Sequence, residues 1–356
     1  MLFRVITKKT YFCSLCMRNA GNINIVIAPK MVVAGILLLI GTLLPLSLCA
    51  QKSLCKADKP AKTAKNEIFV QRRIEYGRGA RLYHRRSRPL YFDLYEPATI
   101  KKTPRPLVIA LFGGGYVVGN RRNAPMTSWC SRLAEEGYLA AAIDYRLMNI
   151  GKLNHSNMLR AAYLASHDVV TAVQYFKEHG SEYNIDTSKI FLLGNSAGAT
   201  AIIHALYMDE DERPSETFFP ENLPAMSCQN PDIMVAGAVL LWGCISDPAM
   251  ITPDEQVPLC MIHGENDRIL PIESGHAFTF SFLPQVYGSQ AIARQLIKNG
   301  QTDFSLHLFE GEPHAFYFKY IHNPNARLFR YLYMPWLNKE KFEQCFQIAV
   351  DFLNEH

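Results

Sequence analysis

The first fifty residues of this 356-residue chain contain no acidic side chain, only Arg4, Lys8, Lys9, Arg18 and Lys30. The chain as a whole is short of charge, with 19% charged residues against 49% hydrophobic. So little charge on so much apolar material excludes an intrinsically disordered protein. Glycine and proline are sparse, at 21 and 20 residues, and no repeat or low-complexity array is present, which excludes collagen-like and linker-like chains. A folded basic face is missing as well. Residues 51–88 carry 12 basic and 3 acidic residues, whereas 89–356 carry 20 basic and 29 acidic, so the body is net acidic. A nucleic-acid-binding globule would show the opposite sign on its body, and that class is set aside.

One long hydrophobic run is present. Val32 to Leu48 is uncharged, follows Lys30 and precedes Cys49-Ala50-Gln51. A positive segment, an apolar stretch and a small residue before a polar one describe a secretory signal, with cleavage expected after Ala50. Pro45 near the end of the run would break a helix there. Met31, directly after Lys30, offers an alternative start. The run also approaches the ~20 residues that span a bilayer, so an uncleaved membrane anchor is the second reading. Leu46-Ser47-Leu48-Cys49 fits a lipoprotein box poorly, because leucine before the cysteine is bulky. The body is therefore expected to be secreted or periplasmic, or else anchored through 32–48 with its folded part outside the cytoplasm.

The nine cysteines include Cys13 and Cys16 at C-x-x-C spacing, but no second pair completes a metal site. Beyond Ala50 six remain: Cys55, Cys130, Cys228, Cys244, Cys260 and Cys345. An even number in an exported chain permits disulfides without fixing their pairing. Cys244 and Cys260 lie in apolar surroundings and read as small core residues. No metal site and no organic cofactor is called for.

Residues 51–67 read as a solvated basic linker and 68–356 as one folded domain. Its pattern alternates. Strands are expected at Ile68–Glu75, Leu90–Tyr95, Leu107–Phe112, Tyr138–Asp144, Ile190–Leu193, Val235–Trp242, Leu259–His263 and Phe304–Phe309. Helices are expected at Met126–Glu136, Asn157–His179, Ala197–Tyr207, Ser289–Asn299 and Lys339–Asn354. Such alternation implies an α/β fold, a mostly parallel central sheet flanked by helices on both faces. Two stretches interrupt it, the acidic, Pro- and aromatic-rich 209–232 and the strongly aromatic 315–337. Excursions on the carboxyl side of such sheets become lids or pocket walls, or remain surface decoration.

Chemistry concentrates at strand ends. Gly194-Asn195-Ser196-Ala197-Gly198 follows an apolar strand and opens an Ala-rich helix, the setting of a G-x-S-x-G nucleophile elbow. There the serine sits on a sharp turn, flanking glycines let strand and helix approach, and the helix amino terminus favours negative charge. A hydroxyl needs a base, and the base needs an acid to orient it. In the chain order serine, acid, histidine, the loop Gly264-Glu265-Asn266-Asp267-Arg268 supplies Asp267, and Glu310-Gly311-Glu312-Pro313-His314 supplies His314. Glu265 and Asp247 are rival acids, and His263, His276 and His322 rival bases. After the strand Leu107–Phe112 comes Phe112-Gly113-Gly114-Gly115-Tyr116, whose bare amides at Gly114 and Gly115, with that of Ala197, can hold an oxyanion.

These motifs resemble the α/β-hydrolases of the carboxylesterase and lipase group with an HGGG oxyanion loop, a group that includes hormone-sensitive-lipase-like and bacterial secreted carbohydrate-esterase-like enzymes. The resemblance rests on Phe112–Tyr116, Asp144-Tyr145-Arg146-Leu147, Gly194–Gly198, His263-Gly264-x-x-Asp267 and Gly311-x-x-His314, and runs from about Leu90 to the carboxyl terminus. It implies Ser196 as nucleophile, Asp267 as orienting acid, His314 as base, and Gly114, Gly115 and Ala197 as oxyanion donors. The implied activity is hydrolysis of small-molecule or carbohydrate esters through an acyl-enzyme. The chain departs from the pattern at Phe112, where the group has histidine. That departure leaves open a catalytically inactive binding module. An amide or lactone hydrolase with the same triad is the third reading.

Overall fold

The computed structural model describes residues 67–84, 86–98, 103–209, 212–213, 215–217, 233–322 and 331–356. The signal or anchor expected in 1–50, the linker 51–66, Cys55, Cys228 and most of 209–232 lie outside them. Among the described residues no helix is long and apolar enough to cross a membrane.

The chain begins with β1 (Ile68–Ala80) and β2 (Ser87–Pro97), an antiparallel pair joined by a turn, and continues into β3 (Arg105–Leu111). Helix α1 (Ala124–Glu135), strand β4 (Leu139–Ile143), helix α2 (His155–Glu178), strand β5 (Ile185–Asn195) and helix α3 (Ala197–Tyr207) follow. Then come β6 (Gly237–Leu241), β7 (Cys244–Ile245), β8 (Leu259–Gly264), β9 (Ser274–His276) and β10 (Gln285–Gly288). Helix α4 (Ser289–Lys298), β11 (Phe304–Phe309), β12 (Phe318–His322), β13 (Tyr331–Leu337) and α5 (Lys339–Glu355) complete the described chain.

Eight strands form one sheet in the order β1-β2-β4-β3-β5-β6-β8-β11. The β1/β2 and β2/β4 pairings are antiparallel, and every pairing from β4 to β11 is parallel. The parallel centre is the apolar part of the sequence, and β4 and β6 have no exposed residue, as expected of strands covered on both faces. On one face α1 and α5 meet through Trp129, whose ring lies 5.2 Å from Phe342 and 5.5 Å from Phe346. On the other α2 packs beside α3, and Phe176 of α2 meets Phe92 of β2 edge-on at 4.8 Å.

Two small sheets lie outside the alternation read from the sequence. β7, β10 and β9 form one, and the β12–β13 hairpin occupies the 315–337 excursion. Cys130, Cys244, Cys260 and Cys345 are buried free thiols, so none of these four uses the disulfide that the cysteine count permitted.

Candidate active site

Ser196 stands between β5 and α3 with φ 53° and ψ −122°, a left-handed conformation that a serine rarely adopts. Strain of this kind costs about 1–3 kcal/mol and persists only where the surroundings enforce it. Here they do. A Cβ on Gly194 would meet the Gly198 carbonyl carbon at 2.6 Å, and one on Gly198 would meet the Leu111 oxygen at 2.6 Å. The Ser196 amide donates to Leu241 O at 2.9 Å, and its carbonyl accepts from Thr200 N at 2.9 Å. The turn is thus clamped between β3, β6 and the first turn of α3.

Asp267 and His314 follow the neighbouring strands β8 and β11. Their loops are laced together: Asn266 N donates to Glu312 O at 2.9 Å and Asn266 Nδ2 to Gly311 O at 3.1 Å. Gly264 is required by this approach, since a Cβ there would stand 2.4 Å from the Glu312 oxygen. Positive φ at Gly311 and Ala315 turns the chain back on either side of His314.

Three residues chosen from sequence meet in space. His314 Nε2 lies 2.9 Å from Ser196 Oγ, and His314 Nδ1 lies 2.6 Å from Asp267 Oδ2. Asp267 Oδ1 accepts from the amides of Ile269 at 2.8 Å and Leu270 at 2.9 Å. Burial alone would raise this carboxyl, but the His314 charge and the hydrogen bonds from His263 and His314 outweigh it and hold it well below the ordinary carboxylate range. It is therefore an anion that fixes His314 with its proton on Nδ1, leaving Nε2 free to accept the serine proton.

The rivals fall elsewhere. Glu265 is exposed, Asp247 caps the short helix Pro248–Met250, and His276 Nδ1 bonds Leu283 O. His322 lies in the β12–β13 hairpin. His263 is a different case. Fully buried, it places Nε2 3.0 Å from Asp267 Oδ2 and 3.0 Å from Leu270 O. Both neighbours are acceptors, so Nε2 carries the proton and His263 is a second donor to Asp267. Only the four-residue spacing from His263 to Asp267 signals this role in the sequence.

The glycine turn lies against the serine: a Cβ on Gly113 would come within 3.0 Å of Ser196 Cβ. Gly115 and Ala197 line one cavity with Ser196. Gly114 is not on that wall; its φ is 138° and its carbonyl accepts from Val117 N and Val118 N at 3.1 and 3.2 Å. Phe112 is buried and stacked on Tyr145, with ring centres 4.3 Å apart, and the Tyr145 hydroxyl donates to Phe112 O at 2.8 Å. The loop is braced by packing where a histidine would brace by hydrogen bonding. Among the described residues no group of three or more His, Cys, Asp and Glu could hold a metal ion.

The strand order, the elbow after β5 and the loops after β8 and β11 are those of the α/β-hydrolase fold. Residues 92–246, from β2 through the elbow to β7, match the BD-FAE family. Among curated proteins the chain is similar to secreted lipase 1 of Botryotinia fuckeliana, 23% identical over an alignment of 216 positions that covers 56% of this chain and 38% of the lipase. It is also similar to a probable isoprenylcysteine alpha-carbonyl methylesterase of Oryza sativa subsp. japonica, 34% identical over 30% of this chain and 23% of that protein. The chain thus spans well under half the length of these relatives. Among solved structures, Thermogutta terrifontis esterase 2 phosphoramylated by tabun superposes with a TM-score of 0.53 at 18% identity, covering 84% of this chain and 97% of its own. Its propionate-bound form gives 0.51 at 19% identity over 82% and 94%. These likenesses establish the fold.

Proposed function

We propose that this chain hydrolyses carboxylic esters through an acyl-enzyme. Ser196 Oγ attacks the ester carbonyl as its proton passes to His314 Nε2, giving a tetrahedral oxyanion beside the Gly115 and Ala197 amides. The imidazolium returns that proton to the leaving alkoxide, and the C–O bond breaks to leave acyl-Ser196 and a free alcohol. Water then repeats the sequence: His314 takes its proton, the oxyanion forms again, and Ser196 departs reprotonated with release of the carboxylic acid. Asp267 stays ionised throughout and stabilises the imidazolium. One observation carries the reading: a single imidazole within hydrogen-bond reach of both a strained serine and a buried carboxylate. Relatives named as esterases and lipases support it. The Phe112–Tyr145 stack braces the glycine turn, which favours the hydrolytic reading over an inactive binding module.

The substrate is a small-molecule or carbohydrate ester, met outside the cytoplasm after export directed by residues 32–48. The test compares wild type with Ser196→Ala on p-nitrophenyl acetate. A drop in kcat of roughly 10⁴-fold or more is expected, and equal rates, or failure of a fluorophosphonate probe to label the wild type at Ser196, would reject the reading.

A further inference from the structure

The cavity beside Ser196 lies on one side of the nucleophile. Its volume is about 40 Å³, and Ser196, Ala197 and Gly115 are part of its wall. His314 is absent from its wall. That asymmetry assigns the two halves of an ester. The leaving oxygen must reach His314 Nε2 to be protonated, and the carbonyl oxygen must face the Gly115 and Ala197 amides. The remaining substituent of the tetrahedral carbon, the acyl chain, is the one that can enter this cavity.

The walls decide what chain fits. Along α3, Ala197, Thr200 and His204 form one stripe, and their polar atoms are already engaged. His204 Nδ1 donates to Thr200 O at 2.7 Å, while Nε2 lies 3.1 Å from the Ser246 amide and 2.9 Å from the Ser246 hydroxyl. Thr200 Oγ1 accepts from Cys244 N at 3.3 Å. Among the described residues the lining includes no acidic side chain, no lysine and no arginine, so a charged acyl group would lose its water and find no counter-charge there. The other walls are apolar: Met158, Leu159 and Ala162 from α2, Phe278 and Pro284 from the segment joining β9 to β10, and Val286 from β10 itself. The space equals about three water-sized occupants.

Phe278 stands out on this wall. It and Thr279 are successive non-glycine residues in the left-handed region, at φ 56° and 61°. The Phe278 amide is tied by a 2.8 Å hydrogen bond to Ile269 O, two residues beyond the catalytic carboxylate. Paired strain of this kind is held where it serves a site. We propose that this cavity receives the acyl group, restricts it to an apolar chain of about two to four carbons, and that Phe278 sets the limit. The assignment rests on the hydrolytic reading above and narrows its substrate.

The experiment measures kcat/KM for p-nitrophenyl acetate, butyrate and octanoate, so that only the acyl chain changes, with wild type, Phe278→Ala and Ser196→Ala. In the wild type octanoate should fall at least about tenfold below butyrate. In Phe278→Ala the ratio of octanoate to acetate kcat/KM should rise at least about fivefold. Should Phe278→Ala fail to fold, Leu159→Ala on the facing wall carries the same expectation. Octanoate turned over as fast as butyrate, in a reaction that Ser196→Ala abolishes, overturns the acyl assignment and leaves the hydrolase standing. A length profile that neither wall variant moves overturns the role of Phe278. Activity that survives Ser196→Ala strikes the hydrolytic reading itself.

Discussion

Asp93 and Asp267 both have fully buried carboxylate groups, but their partners differ in kind. Asp93, on β2, is gripped by guanidinium groups: Arg121 Nε at 2.8 Å, Arg122 Nε at 2.7 Å and Arg72 at 3.4 Å, with the Arg73 amide at 2.8 Å. Burial would raise its pKa, but the hydrogen bonds from Arg122 and Arg121 bring it down to about 2. Asp267 receives two imidazoles and two amides and is likewise driven low. The partner makes the difference. A guanidinium never gives up its proton near neutral pH, so the Asp93 cluster can only hold. An imidazole can both take and give a proton, so in the mechanism proposed above His314, held by Asp267, relays one to and from Ser196. Equal burial and similar acidity therefore say nothing about chemistry until the donor is identified.

Exchanging each carboxylate for an amide breaks the comparison most sharply. Asp267→Asn should lower kcat by roughly 10⁴-fold, because an amide no longer dictates which His314 nitrogen holds the proton. Asp93→Asn should leave the rate within a few-fold and cost about 3 kcal/mol of stability, since buried Arg121 loses one of its counter-charges while Arg122 and Arg72 remain partly solvated. Ester kinetics and urea unfolding on both variants are the measurements. A large rate loss in Asp93→Asn, or none in Asp267→Asn, would erase the distinction.

The two clusters also differ in how visibly they are written in the sequence. Ser196, Asp267 and His314 could be found because each follows an apolar strand, and loops after the strands of a parallel sheet share one rim. The central strands and α3 were legible for the same reason: a run of apolar residues bounded by glycine admits few arrangements. The Asp93 cluster was not. Its members come from β1, β2 and the loop that contains Arg121 and Arg122, and charge alone does not encode which arginine crosses to which strand. His263 was visible only as a rival base, because a histidine at a strand end reads the same in either role. The β9–β10 segment that walls the cavity was missed altogether. β7 is two residues long and β9 three, too short for any alternation to register. The aromatic 315–337 stretch was read as a pocket wall or as surface decoration, and none of its described residues lies on the cavity wall. Its first residues, Phe316 and Tyr317, instead pack against Trp242 with ring centres 5.1 and 4.7 Å away.

His204 sharpens the comparison from the other side, as a buried histidine with no carboxylate partner among the described residues. Burial lowers it to about 4, against an upward pull from its bond to Thr200 O. Between pH 6.5 and 4 the unfolded chain binds a proton that the folded chain refuses, so stability rises with pH across that window and is lost on acidification. The loss amounts to about 1.4 kcal/mol per pH unit within the window, or about 3 kcal/mol in full. Half-buried His167, also lowered to about 4, adds a similar slope. Urea unfolding at several pH values should therefore give a shallower acid slope in His204→Gln than in wild type, and parallel slopes would show that His204 is protonated in the fold.

The smallest effect tests the point where the two clusters meet. Arg121 pairs with Asp144 as well as Asp93, and Tyr76 donates to the Asp144 carbonyl, so the holding cluster fixes the residue just before Tyr145. Tyr145 in turn donates to the carbonyl of Phe112, where the glycine turn begins. Tyr145→Phe keeps the ring stack on Phe112 and deletes that one hydrogen bond, which is worth about 1 kcal/mol. If the bond positions the Gly113–Gly115 turn, kcat should fall about fivefold with KM little changed, because the oxyanion forms only after binding. If it contributes stability alone, the melting temperature should drop and kcat stay put. The first result would make the guanidinium cluster a remote support of the catalytic rim, and the second would leave the two carboxylates as separate devices.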